Sequence, residues 1–328
     1  MSKLNRLLSI IKTYTYGRKG DKPSTASFWY MRAPATIFTP HHLEIWRKFD
    51  GPYPPYLFDH RSKLDYPSVR EDGVALLNYD DPIGTQVNPE AAFQYALGLA
   101  DAYLNQKRQE LRTQFLSCCN YFLSVQDERG NFPYEFDWYE SKAPWYSALA
   151  QSRGVSVMLR AWKMTGDEKY LRSARLAVSQ FMTPIEDGGY LATFGPESCT
   201  YFEEYPHSPS AVMNGFLATA FGLFELNELA PDEPSQVLFD LSIESLKKML
   251  PHYTLDWWTL YDLRGQPDKN NVQSPFYHDM VIQYITVLAI IAPCPEFERI
   301  CEIWKDQYTI SNKLRATLGK IVFKVNER

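Results

Sequence analysis

The sequence is poor in the features that would classify it at a glance. Its 328 residues hold 16 glycines and 22 prolines with no period, which excludes a collagen-like or linker composition. A cysteine framework is missing. The five cysteines (Cys118, Cys119, Cys199, Cys294, Cys301) are odd in number, include an adjacent pair and show no Cys-x-x-Cys or Cys/His spacing. Reduced thiols, mostly in the core, are expected, with no disulfide scaffold and no metal site. There is no basic surplus: 34 Lys and Arg stand against 39 Asp and Glu, a net charge of −5, so nucleic acid is not an expected partner. An anionic substrate stays open, because a cleft responds to nearby Arg or Lys more than to the chain's total. The longest apolar run, residues 281–294, is broken by Gln283 and Tyr284 and falls short of the about 18 residues a spanning helix needs. Near the N-terminus Leu4, Leu7, Leu8 and Ile11 share one helical face, and the stretch 7–11 is too short for a signal-peptide core. A short helix packed on the body is expected there, and a cytoplasmic protein without an integral membrane segment.

What the chain has is aromatic surface. Tyr, Phe and Trp make 15% of it, the 22 tyrosines outnumber the glycines, and the 45% apolar share excludes intrinsic disorder. From about residue 90 the apolar period is helical. Phe93, Leu97, Ala100 and Leu104 make one face. Leu111, Phe115, Cys118, Phe122 and Val125 make the next, then Tyr170, Ala174, Ala177 and Phe181, then Val237, Leu241, Ser245, Leu246 and Met249. Asn88-Pro89 reads as a cap followed by a first-turn proline, and Ser208-Pro209 as the same device before a helix through Phe216 to Leu226. Thr165-Gly166-Asp167 reads as a stop followed by an acidic start. Long loops rich in aromatics, Gly and Pro lie at 130–139, 188–206 and 253–274.

Helix pairs without a fixed repeat predict an all-α protein, an α/α toroid of helical hairpins with long loops over one mouth. Residues 1–88 are rich in proline and predict an irregular, partly extended arm packed on the barrel of residues 89–328, one structural domain overall.

Four segments concentrate polar aromatics with charge: 143–154, with Trp145, Tyr146, Gln151 and Arg153; 202–206, with Glu203, Glu204 and Tyr205; 260–264, with Tyr261, Asp262 and Arg264; and 276–279, with Tyr277 and His278. Each has a plain structural reading. Glu203 and Glu204 suit a solvated acidic turn ahead of a helix, Tyr261 and Tyr277 suit amphipathic core positions, Arg264 suits a surface pair with Asp262, and His278 a bystander.

In order and approximate spacing, APWYSALAQSRGVSVMLR at 143–160, EEYPHSPSAVMNGF at 203–216, TLYDLRG at 259–265 and YH at 277–278 resemble the D-glucuronyl C5-epimerases of heparan sulfate and heparosan synthesis. The resemblance spans roughly residues 70–310, and the chain is similar to the shorter bacterial relatives. It implies an α/α-barrel catalytic domain, an isomerase that inverts C5 of glucuronic acid in a polysaccharide to give iduronic acid, and no cofactor. It places the catalytic groups at Glu204, Tyr205, Tyr261, Arg264 and Tyr277; substrate contacts are expected at Trp145, Tyr146, Gln151, Arg153, Asn214 and His278. The partner implied is an anionic uronate polysaccharide, and a homodimer is left open.

The chemistry requires these types. Removing a proton alpha to a carboxylate piles up negative charge that Arg264 would neutralise, while a base on one face and an acid on the other complete the inversion. Tyr277 and Glu204 are the expected opposed pair, with Tyr205 and Tyr261 orienting the sugar and completing proton relays. Two positions depart from the family: Val281 stands where a further His is common, and Arg153 where a neutral residue is usual, adding a charge able to read a sulfate or an acidic sugar. A polysaccharide lyase shares the first step. An α/α-barrel glycoside hydrolase would pair Glu204 with Asp137 or Glu135, and a non-catalytic glycan-binding relative would use the cleft without reaction.

Overall fold

The computed structural model describes residues 3–15, 18–19, 22–23, 45–46, 48–66, 68–138, 140–195, 198–263 and 270–326. Its helices are α1 (Lys3–Thr15), α2 (Pro89–Gln106), α3 (Gln109–Val125), α4 (Ala148–Thr165), α5 (Glu168–Ser179), α6 (Met213–Leu229), α7 (Glu233–Tyr253), α8 (Pro275–Ile291), α9 (Pro295–Gln307) and α10 (Ile310–Asn326). Three two-stranded antiparallel ribbons accompany them: β1 (Arg18–Lys19) with β2 (Lys22–Pro23), β3 (Leu77–Asn78) with β4 (Thr85–Gln86), and β5 (Leu191–Phe194) with β6 (Cys199–Phe202).

Sequence chemistry sets the helix ends. The Asn88 side chain accepts from Ala91 N with Pro89 in the first turn, Gly166 closes α4 at φ 73°, and Asp167 caps α5. The outer helices bury one stripe each: Phe115, Cys118, Cys119 and Phe122 on α3; Phe297, Ile300, Cys301 and Trp304 on α9. By contrast, α4, α6 and α8 are buried nearly all round. The hairpins α2/α3, α4/α5, α6/α7 and α8/α9 therefore put α2, α4, α6 and α8 on the inside, each packed against the next, and the fold is an α/α toroid. Phe58 touches Phe221 of α6 and Tyr284 of α8, and the 3₁₀ turn Arg61–Leu64 packs on α2, so this N-terminal segment bridges the last and first inner helices.

Three expectations change. Ser208-Pro209 is no helix start: α6 begins at Met213, because residues 203–211 wrap around a buried carboxylate. Val237 is 57% exposed and Leu238 is buried in its place, while Ser245, Leu246 and Met249 of the expected face are buried. On α1 the residues turned inward are Ile10 and Tyr14 with Leu7, against α10, while Leu8 and Ile11 stay exposed. The five cysteines are unpaired and all but Cys294 are buried. Among the described residues no helix is long and apolar enough to cross a membrane.

Candidate active site

Glu203 organises the loop that carries the motif. Its carboxylate is fully buried and accepts from the Tyr201 hydroxyl and from the backbone N–H groups of Tyr205, Ser210 and Ala211, at 2.8–3.2 Å. Ala211 takes φ 51° to reach it, and its carbonyl accepts from the Tyr253 hydroxyl. Met213 N donates to Tyr261 O and Leu263 N to Ser210 O, so the Glu204 loop and the Tyr261 segment are knitted together. Both glutamates are buried, and the solvated acidic turn does not exist.

Glu204 lies against the first turn of α6. A Cβ at Gly215 would overlap its carboxylate, so only glycine leaves that space. Burial, with Glu203 and Glu90 nearby, pushes its carboxyl up to about 8 against the opposing influence of Tyr205 and Arg153. One oxygen of Glu204 and the Asn214 amide oxygen are buried without a protein hydrogen-bond partner among the described residues. The Tyr205 hydroxyl faces the same carboxyl, which together with burial pushes that phenol up. Beside it Trp145 stacks on Tyr134 at 3.8 Å between ring centroids, and Trp145 Nε1 donates to Phe136 O.

Tyr277, in the first turn of α8, meets Tyr261 edge to face at 5.6 Å. Its phenol is pushed up by burial first, then by Glu204, Tyr284 and Tyr14. The Tyr261 backbone is fixed on both sides, by Asn271 O and Met213 N.

Behind these groups sits a buried cationic knot. Arg153 Nε donates to Glu90 at 2.6 Å, Nη1 to the Tyr56 hydroxyl at 2.7 Å and Nη2 to the Tyr284 hydroxyl at 2.9 Å. The guanidinium is therefore held by the protein's own groups, not offered bare to a sulfate. Glu90 keeps one buried oxygen without a protein partner among the described residues.

Two expected contacts lie elsewhere. The Gln151 amide bonds Gly130 O, Ala177 O, Phe132 N and Tyr190 in the core. His278 stacks on Trp258 at 3.7 Å, with its ring nitrogens on Thr259 and Trp304 O, and burial lowers it to about 3. Tyr146 is half-buried and its phenol rises to about 12 through burial and Asp127. Arg264 lies outside the described residues. Glu90, Tyr134, Tyr284 and Lys320 escaped the sequence reading. Tyr284 alone had a signal, its place seven residues after Tyr277 on the same helical face. A surface groove lined by Glu71, Gln109, Glu110 and Gln114 contains none of the residues above. Among the described residues no group of three or more His, Cys, Asp or Glu side chains is arranged to hold a metal ion.

A buried carboxyl that changes charge near neutrality, surrounded by phenols, can exchange protons with a bound ligand. Comparison with known proteins bears on which ligand. A family model described as D-glucuronyl C5-epimerase C-terminus matches residues 126–306. A D-glucuronyl C5-epimerase of Caenorhabditis elegans is 35% identical over 180 residues, 49% of this chain and 29% of that protein. An uncharacterized protein of Methanocaldococcus jannaschii is 31% identical over 137 residues, 41% of this chain and 44% of that protein. The alignments thus take in less than half the length of either relative. Among solved structures a polysaccharide lyase superposes with a TM-score of 0.51 over 100% of this chain and 99% of that one, at 9% identity, a likeness of fold.

Proposed function

The chain belongs to the D-glucuronyl C5-epimerase family, and on that premise we propose that it inverts C5 of D-glucuronic acid units within a polysaccharide, giving L-iduronic acid. The observation that carries the reading is Glu204, a buried carboxyl raised to about 8 that faces Tyr205 and lies within the electrostatic reach of Tyr277.

In this proposal ionised Glu204 takes the C5 proton, a task that favours a group titrating near the working pH. Tyr277, held protonated by burial and by Glu204, gives a proton to the opposite face. Tyr205 donates to the Glu204 carboxylate, and Tyr261 orients the ring beside Tyr277. The uronate carboxylate gains charge as C5 loses its proton, and Arg264, supplied by the matched motif, is the group assigned to offset it. Asn214 and Trp145 contribute a polar contact and a stacking surface for the sugar. Gln151 and His278 act at one remove, by holding the walls.

The test is incubation with a heparosan-type polymer in deuterated water. Deuterium at C5 of intact chains supports the reading. A new unsaturated chromophore with shortened chains would make the protein a lyase, and reducing ends without unsaturation a hydrolase.

A further inference from the structure

The helix α10 begins after the end of the family match at residue 306, yet it reaches the phenol cluster. Its Lys320 is 8% exposed, and its ammonium stands 4.7 Å from the centroid of the Tyr261 ring. The same Nζ donates to Asn271 Oδ1 at 2.5 Å, and Asn271 Nδ2 donates to Asp262 Oδ2 at 2.7 Å. Asn271 also accepts from Tyr261 N. One asparagine therefore fixes the lysine and the tyrosine backbone together. From the other side α1 packs on α10 and brings Tyr14 near Tyr277.

We propose that Lys320 is a positioning residue of the epimerase reaction, holding Tyr261 in place and favouring its phenolate, so that Tyr261 is the member of the phenol cluster able to carry negative charge. The inference rests on the epimerase reading for its rate effect only. Burial is the leading influence on both Tyr205 and Tyr277, and carboxylates and other phenols add to it, so both are held protonated. Tyr261 differs because a buried cation lies over its face, an attraction that strengthens when the ring becomes anionic. Among the described residues the titratable and charged groups facing it include Lys320 from α10, Tyr277 from α8, Tyr205 from the loop after β6, and Asp262 beside it in the chain. On ionisation the hydroxyl proton leaves to water, the phenol oxygen keeps the electron pair, and the ammonium stays protonated. In turnover Tyr261 passes its hydroxyl proton to the Tyr277 oxygen once Tyr277 has delivered its own, so the O–H bond lost at Tyr261 is the one formed at Tyr277; the charge then rests on Tyr261 beside the ammonium until Glu204 releases the C5 proton to water and water returns one to Tyr261.

The experiment compares the full chain with Lys320→Gln, which keeps a donor for Asn271 but no charge, and with Lys320→Arg, which keeps the charge. Lys320→Met serves if the glutamine variant does not fold. Two quantities are read: the pH profile of deuterium uptake at C5, and the ionisation of Tyr261 followed by NMR of isotope-labelled tyrosine Cζ, assigned with Tyr261→Phe. The expected result is that Lys320→Gln moves the Tyr261 ionisation to higher pH by about one unit or more and moves the pH profile with it, while Lys320→Arg restores both. A Tyr261 ionisation that stays in place in Lys320→Gln, or a profile that only loses amplitude, would overturn the proposal. Absence of C5 exchange in the unaltered chain would instead defeat the epimerase reading, and the NMR titration would still decide whether Lys320 governs Tyr261.

Discussion

The Glu204 carboxyl keeps its proton up to about pH 8 because it is walled in by the first turn of α6 and has Glu203 and Glu90 for neighbours. Its affinity is raised in the folded state above the about 4.3 of an unfolded chain, so the native protein binds a proton that the unfolded one releases. Stability then falls as pH rises between those values, and the loss is complete above about 8. Glu204→Gln should flatten that slope and leave the protein more stable than the parent above pH 8, measured as urea midpoints across pH. Its C5 exchange should drop by about 100-fold or more. A slope unchanged by the substitution would place the proton elsewhere. Gly215→Ala probes the same contact from the helix side. In an open helix that change stabilises by about 1 kcal/mol, but here the added methyl displaces the Glu204 carboxyl, so exchange should fall sharply. Full activity with higher stability would contradict the packing described. Glu204 was legible as a candidate from its motif. The burial of Glu203 beside it was not, since that carboxylate is held by backbone N–H groups seven and eight residues further on.

At the scale of elements, ion pairs hold the inner wall together. Arg160 of α4 pairs with Glu225 of α6, both fully buried, and also donates to Pro55 O. About two turns earlier in α4, Arg153 joins Glu90 of α2, Tyr56 of the N-terminal segment and Tyr284 of α8. Arg153→Gln should destabilise by about 3 kcal/mol, because it leaves Glu90 without its cation, and adding Glu90→Gln should recover much of the loss. A double-mutant cycle by urea denaturation checks this, and additive losses would mean that the two side chains are not coupled. The hairpins themselves were legible from apolar spacing, since Phe115, Cys118 and Phe122 form a helical stripe in any environment. Arg153 was legible as unusual, but its partners were not. They lie 63, 97 and 131 residues away in the chain, and only closure of the toroid brings them together.

For the molecule as a whole, the toroid explains why motifs separate in the chain meet in space. The loop after β6 and the Tyr261 segment are joined by backbone hydrogen bonds, and Tyr261 meets Tyr277 at the start of α8. The motifs were readable because they are contiguous strings. The walls around them, α1 and α10, carry no such string, and Lys320 reads in the sequence as one more basic residue of an amphipathic helix. In the proposed reaction protons exchange at C5 without chain cleavage, and Tyr277 is one of the two proton-transfer groups. This is tested most directly by following C5 deuterium in a glucuronate polymer with the parent chain and with Tyr277→Phe. Deuterium on intact chains is expected with the parent, and a loss of about 100-fold or more with the variant. Near-normal exchange with Tyr277→Phe, or chains shortened with unsaturated ends, would contradict it.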